Sequence, residues 1–217
     1  MISRSVPGYR QILQLLPSLV KQLSKTEGDY YDLGCSLGAG MLSIAQGLIT
    51  DIDDQKHNII GIDSSAAMLA QAESIFAKAD YSNINFEFRC ADINTIETNN
   101  AAMVLMNFTL QFIPLDKRDA LIQAIFSNLN VGGGLVISEK IKFDDLTTNQ
   151  TLIDIHHQFK ADQGYSQLEI SQKRDAIDDV LIPETLDAHL ERLTSAGFKV
   201  VTPWIQNLQF ISILAIK

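Results

Sequence analysis

Cysteine is nearly absent from the 217-residue chain, which holds only Cys35 and Cys90. Their separation fits neither a metal-ligand spacing nor a disulfide framework, so no metal is expected. Long apolar runs are also missing, which excludes a transmembrane helix from the expected elements. The first residues, Met-Ile-Ser-Arg-Ser-Val-Pro-Gly-Tyr, hold no apolar signal-peptide core, and a cytoplasmic location is the expectation. Basic residues are outnumbered, 17 Lys and Arg against 26 Asp and Glu, for a net charge of −9. That balance argues against a broad phosphate-binding surface, so direct nucleic-acid binding is not expected. A role in nucleic-acid metabolism would then concern its small molecules. No internal repeat, low-complexity tract or linker stands out. What remains is 46% hydrophobic residues, enough for one α/β domain spanning residues 1–217, with helices on both faces of a buried sheet.

The chain is organised around residues 30–40, Tyr-Tyr-Asp-Leu-Gly-Cys-Ser-Leu-Gly-Ala-Gly. A short apolar strand carrying Asp32 runs into small residues, and a helix begins near Met41. Gly34, Gly38 and Gly40 lack a Cβ, so the backbone can turn sharply and admit a ligand closely. Strand, glycine turn and helix N-terminus together make a nucleotide site at the carboxyl edge of an α/β sheet. A dinucleotide fingerprint reads G-x-G-x-x-G, whereas the order here is Gly34-x-x-x-Gly38-x-Gly40. It resembles motif I of the class I S-adenosylmethionine-dependent enzymes, acid-x-Gly-x-Gly-x-Gly, with Ser36 where the middle glycine usually stands. Taken alone, the segment leaves an ordinary strand-to-helix turn open.

The remaining segments bear on that choice. Residues 9–24 carry Ile12, Leu13, Leu15, Leu16, Leu19, Val20 and Leu23 in an amphipathic helical pattern. Pro17 is expected to break that helix or start a second one. Strands are predicted at 58–62, 85–90, 102–107 and 135–140, with the apolar 102–107 strand central. Helices are predicted at 41–49, at 66–78 with Ser64 or Ser65 as N-cap, and at 115–129, the last stopped by Asn130-Val131-Gly132-Gly133-Gly134. This alternation is the signature of a doubly wound, mostly parallel sheet, the Rossmann-like class I fold. Residues 144–182 break the rhythm as a helical insertion over the carboxyl edge, a lid or a dimer element. A helix over 183–196 closed by Gly197, then strands at 198–204 and 208–216, end the chain in an antiparallel hairpin.

Polar groups recur at the strand ends. Asp63 is placed to accept from both ribose hydroxyls, against the plainer reading of a loop acid capping the next helix. Asp92 is placed to accept from an adenine amino group, while Ile93 offers an N–H and an apolar surface to the ring. A surface turn explains that pair about as well. Asn107 can reach the sulfonium or amino-acid part of a ligand, or simply cap its strand. Their convergence outweighs any one of them. His156 and His157 point to different sides of a helix and are read as structural, and Trp204 and Phe210 as core or rim aromatics. Cys35 contributes backbone rather than a nucleophile. Arg4, Lys173 and Arg174 are the notable cations; an arginine in the insertion could bind a carboxylate in bidentate fashion, with a surface salt bridge as the default.

Several stretches resemble one family: Arg4-Ser-Val-Pro-Gly-Tyr9, Tyr31-Asp-Leu-Gly-Cys-Ser-Leu-Gly38, Asn107-Phe-Thr-Leu-Gln-Phe112, Ser138-Glu-Lys140, and Gly164-Tyr-Ser with Leu168-Glu-Ile-Ser-Gln-Lys-Arg174. They are similar to the carboxy-S-adenosyl-L-methionine synthase (CmoA) family, and the similarity covers essentially the whole chain. The stretches at Asn107 and at Leu168 to Arg174 are far more specific than the glycine turn. Members usually carry an N-terminal extension before the Arg-Ser-Val-Pro-Gly-Tyr motif, at which this chain nearly begins.

The resemblance implies conversion of S-adenosyl-L-methionine and prephenate to carboxy-S-adenosyl-L-methionine and phenylpyruvate. It implies a homodimer and a functional link to a tRNA carboxymethyltransferase acting on a hydroxylated wobble uridine. Carried over residue by residue, its ligand contacts fall on Tyr9, Gly34, Cys35, Ser36, Asp63, Ser64, Asp92, Ile93, Asn107 and Arg174. Ser64 replaces an Asn often found beside the acid, which a backbone contact tolerates. Arg174, from the same subunit or across a dimer, is the expected anchor for the new carboxylate. The group that removes the methyl proton is not indicated. The alternative is an S-adenosylmethionine-dependent methyltransferase acting on a small molecule. Asn107-Phe-Thr-Leu in place of an Asn-Pro-Pro-Tyr type motif speaks against methylation of a nucleic-acid amino group. A non-catalytic binding or scaffolding subunit is the third reading, and the glycine turn, Asp63 and Arg174 argue against it.

Overall fold

The computed structural model describes residues 2–49, 56–78, 81–171 and 180–217. Helix α1 (Tyr9–Leu23) leads into β1 (Asp29–Leu33), α2 (Ala39–Leu48), β2 (His57–Asp63), α3 (Ala66–Phe76), β3 (Ile84–Cys90), β4 (Ala101–Asn107), α4 (Leu115–Asn128) and β5 (Leu129–Lys140). Then come α5 (Leu146–Asp162), α6 (Leu186–Ala196), β6 (Val200–Asn207) and β7 (Phe210–Ile216). The strands form one sheet in the order β3-β2-β1-β4-β5-β7-β6. The first five are parallel, while β7 runs antiparallel to both β5 and β6. The predicted doubly wound sheet, central fourth strand and terminal hairpin are therefore all present. Pro203 sits in the edge strand β6, at a register shift, where its missing N–H interrupts no inner ladder.

Strand alternation distributes the core onto two faces. Met103 and Leu105 of β4 join Leu16 and Val20 of α1 and Met41 and Ile44 of α2. Val104 and Met106 join Leu121, Ile122 and Ile125 of α4 and Leu193 of α6. The chain steps from β1 outward to β3, then returns to β4 on the other side of β1. That reversal opens a crevice at the carboxyl ends of β1 and β4. Among the described residues, no helix is long and apolar enough to cross a membrane.

Two sequence expectations are corrected. Pro17 does not break α1, which runs continuously from Tyr9 to Leu23. A proline inside a helix costs about 3 kcal/mol. Burying Ile12, Leu16, Val20 and Leu23 on one stripe contributes about 1.5–3 kcal/mol each, so the stripe wins. The helix seats on α2 at Gly47, where an added Cβ would lie 2.6 Å from the Pro17 carbonyl oxygen. Nor does the glycine run stop α4: the helix ends at Asn128 and β5 begins at once, with Gly132, Gly133 and Gly134 inside it. The helix end is satisfied instead by Lys217, whose Nζ donates to the carbonyls of Phe126 (2.7 Å), Ser127 (3.1 Å) and Leu129 (2.7 Å).

Candidate active site

The glycine turn forms because β1 must reverse into α2 within a few residues. Gly34 (φ 79°) and Gly38 (φ 81°) take left-handed conformations, as does Ser36 (φ 50°) at a Cβ penalty. Cys35 and Gly34 both donate backbone N–H to the Ile62 carbonyl, at 3.0 and 2.7 Å, tying the turn to β2. Gly40 is required for a different reason, since an added Cβ would lie 2.5 Å from Asp32 Oδ2. Asp32 is 2% exposed. Burial pushes its carboxyl up to about 7; the Met41 N–H pulls it down and the Asp63 charge adds to the rise. Burial also raises the Cys35 thiol, with Asp32 and Asp63 adding, so the thiol stays protonated.

Asp63 ends β2 and bonds to the backbone on either side of it. Its Oδ2 accepts the Ser36 N–H at 2.9 Å and its Oδ1 accepts the Ser65 N–H at 2.9 Å. It thus locks the glycine turn to the start of α3, and each oxygen keeps a lone pair for a further donor. Ser65, rather than Ser64, caps α3 by accepting the Met68 N–H. Asp92 caps the short turn Ile93–Thr95, its Oδ1 accepting from Asn94 N and Nδ2 at 2.9 and 2.8 Å. Those bonds hold its exposed carboxyl below the usual range.

A cleft of about 390 Å³ opens at this edge. Gly34, Asp63, Ser64, Asp92 and Ile93 line it on one side. The opposite wall is the turn after β4, with Phe108, Thr109, Phe112 and Ile113. These four were quoted or passed over in sequence without a role, and their signal was only their place after a central strand. A Cβ on Gly34 would collide with the Thr109 side chain, so the two walls meet there. Asn107 ends β4, and its buried Oδ1 has no hydrogen-bond partner. An unsatisfied buried oxygen is an acceptor awaiting a donor. The Tyr9 ring lies 6.1 Å from that of Phe108, and its hydroxyl is raised to about 12 by burial and by Asp32, which brings it to the same edge. Arg174 and Lys173 lie outside the described residues.

Two stretches far apart in sequence meet beside this edge. Arg4 donates from Nε to the Gln163 carbonyl at 3.0 Å, and its guanidinium stands 5.0 Å over the Tyr165 ring. His156 of α5 contacts the Ser5 carbonyl through Nε2 at 2.7 Å and Gln209 through Nδ1 at 3.3 Å. A carbonyl only accepts, so the proton sits on Nε2 and Nδ1 accepts from the Gln209 amide. The structural reading of His156 therefore stands, and no group of three or more potential metal ligands exists among the described residues.

Comparison with known proteins decides the family. A carboxy-S-adenosyl-L-methionine synthase from Hahella chejuensis is 45% identical over 218 residues, covering 100% of this chain and 88% of the relative. One from Idiomarina loihiensis is 46% identical over 219 residues, with the same coverage. The chain belongs to the carboxy-S-adenosyl-L-methionine synthase family. It is accordingly a transferase of the class I methyltransferase superfamily that uses S-adenosylmethionine, and the methyltransferase-domain family matches residues 31–133. Solved structures agree on the fold. Magnesium protoporphyrin IX methyltransferase from Synechocystis PCC 6803 with bound SAM superposes with TM-score 0.59 at 15% identity, over 94% of this chain and 79% of that one. An O-methyltransferase family protein from Burkholderia thailandensis gives 0.60 at 15% identity, over 95% and 56%.

Proposed function

We propose that this family member converts S-adenosylmethionine and prephenate into carboxy-S-adenosylmethionine and phenylpyruvate, and so supplies the carboxymethyl donor for modification of a tRNA wobble uridine. The observation that carries this reading is identity of about 45% over the whole chain to synthases named for that product. The cleft suits the shared half of both ligands. Asp63 accepts from the ribose hydroxyls, Asp92 and Ile93 take the adenine, and the orphaned Asn107 oxygen accepts from the amino-acid end. Tyr9, Gly34, Cys35, Ser36 and Ser64 complete the surround.

The chemistry balances without an external oxidant. Prephenate aromatises to phenylpyruvate as it releases carbon dioxide and hydroxide. The sulfonium methyl, acidified by its adjacent positive charge, gives up a proton that leaves with the hydroxide as water. The resulting ylide carbon attacks the carbon dioxide, forming the new carbon–carbon bond and a carboxylate. The site must exclude bulk water during this exchange. In this reading Arg174 holds the carboxylate through two parallel N–H bonds. The protein works as a homodimer in the cytoplasm and hands its product to a tRNA carboxymethyltransferase.

Mass spectrometry after incubation with S-adenosylmethionine and prephenate tests the reading. Carboxy-S-adenosylmethionine and phenylpyruvate in equal amounts are expected. S-adenosylhomocysteine with a methylated small molecule would overturn it in favour of an ordinary methyltransferase. Arg174→Ala should weaken binding of the carboxylated ligand by about tenfold or more, while S-adenosylmethionine binds nearly as before. Equal losses for both ligands would remove Arg174 from the carboxylate.

A further inference from the structure

The turn after β4 is gripped by two buried ionisable side chains that the reaction itself does not call for. Glu139 of β5 is 1% exposed, and its Oε1 and Oε2 accept the N–H groups of Leu110 (2.9 Å) and Gln111 (2.8 Å). Arg118 of α4 is fully buried. Its Nε donates to the Ile113 carbonyl at 2.9 Å and its Nη2 to the carbonyls of Gln111 (3.2 Å) and Ile182 (2.8 Å). Its Nη1 pairs with Glu184 Oε2 at 2.5 Å, and Arg192 holds the other oxygen of Glu184 at 2.7 Å. Gln111 closes the circuit, with Oε1 accepting the Lys140 N–H at 3.0 Å and Nε2 donating to the Phe108 carbonyl at 3.4 Å.

Burying two ionisable side chains is expensive, and apolar side chains could fill the same space at no such penalty. What their hydrogen bonds add is a fixed backbone. The turn begins at Phe108, a non-glycine residue at φ 63°, a conformation that persists only where surroundings over-determine it. The Phe108 N–H is taken by the Ser138 carbonyl at 2.7 Å, from the strand that also carries Glu139. From this strained start the turn presents Phe108 and Thr109 to the cleft, with Thr109 packed over Gly34. It is the wall facing the adenosyl-binding acids.

We infer that Glu139 and Arg118 are positioning residues: one grips the N–H side of the turn and the other its carbonyl side, and together they hold the Phe108–Thr109 wall where a second substrate meets the reacting carbon. The inference rests on the cleft being the site of the proposed reaction. Neither side chain touches substrate, so binding of the adenosyl ligand is only weakly sensitive to them. Turnover depends on the wall, because misplacement of about 1 Å can lower a rate by roughly 100-fold.

Glu139→Gln and Arg118→Lys in the full chain test this, the first keeping the shape and the second the charge. Amide hydrogen exchange at Leu110 and Gln111 should accelerate in Glu139→Gln while amides of α3 keep their rates. In both variants kcat should fall by roughly 10- to 100-fold, with the dissociation constant of S-adenosylhomocysteine within about threefold of the parent. Unchanged exchange at Leu110 and Gln111 would overturn the inference whatever the reaction is. So would unchanged kcat in a folded variant, or affinity and kcat falling together in step with the melting temperature. If the parent protein methylates instead of carboxylating, the proposed reaction fails alone. The same comparison of kcat with affinity, read on that product, then decides the positioning role.

Discussion

The two walls of the cleft are held by different kinds of interaction. On the side of Asp63 and Asp92 the locks are mostly short in sequence. Asp63 takes the N–H of Ser65, Asp92 that of Asn94, and Ser65 that of Met68, so each acid or serine caps the turn it belongs to. On the facing side the locks cross the fold. Glu139 reaches back to Leu110 and Gln111, and Arg118 reaches forward to Ile182 and Glu184. The first wall is made of strand ends, which a parallel sheet brings together by construction. The second is a strained turn whose backbone is hydrogen-bonded by buried side chains from β5 and α4.

Breaking the long-range wall should have the largest effect. Glu184→Ala leaves Arg118 buried without its carboxylate and removes a partner of Arg192. Burial alone would raise the Glu184 carboxyl, yet the bonds from Arg192 and Arg118 hold it below the usual range, which measures how strongly the network favours its charge. Loss of about 3–5 kcal/mol in denaturant unfolding is expected. A loss below about 1 kcal/mol would mean that the carbonyl contacts suffice and that the ion pair is incidental.

The short-range wall is probed by Asp63→Ala. The variant should fold and bind S-adenosylmethionine more weakly by about 1.5–3 kcal/mol, the range for hydrogen bonds to a charged group. Calorimetry showing parent-like affinity would leave Asp63 only its locking role between Ser36 and Ser65. Together the two variants separate the walls, since Glu184→Ala should act mainly on stability and Asp63→Ala mainly on affinity.

The smallest expected effect concerns the seam between the N-terminal stretch and α5. Burial lowers His156 to about 4, outweighing the Ser5 carbonyl, with Lys160, Lys140 and His157 acting in the same direction as burial. The folded state therefore binds fewer protons than the unfolded state between about pH 4 and 6.5, and His156 makes stability rise with pH through that window and fall on acidification. His156→Gln should flatten the slope by at most about 1.4 kcal/mol per pH unit. His189, lowered to about 4 by burial, contributes the same sign. Buried Asp32 and Glu139, raised to about 7 and about 8, contribute the opposite sign above about pH 4. The variant must therefore be compared with the parent at matched pH. An identical pH slope in both would show that His156 does not titrate with unfolding.

The sequence by itself determined the strand–helix alternation, the glycine turn, the polar strand ends at Asp63, Asp92 and Asn107, and the closing hairpin. All of these follow from period and from turn chemistry within a few residues. Only the tertiary structure decided that α1 runs through Pro17, because the burial of its apolar stripe exceeds the cost of the proline. It alone decided that Lys217 ends α4 and that the glycine run extends β5. It also decided that Arg4 meets Gln163 and Tyr165, and that an acid inside apolar β5 meets the turn after β4. Glu139 stood in sequence as an acid in a largely hydrophobic strand, with nothing to indicate which backbone it would hold. Its partners lie 28 and 29 residues away. Contacts at that range depend on which strands become neighbours, and the packing of the whole sheet settles that.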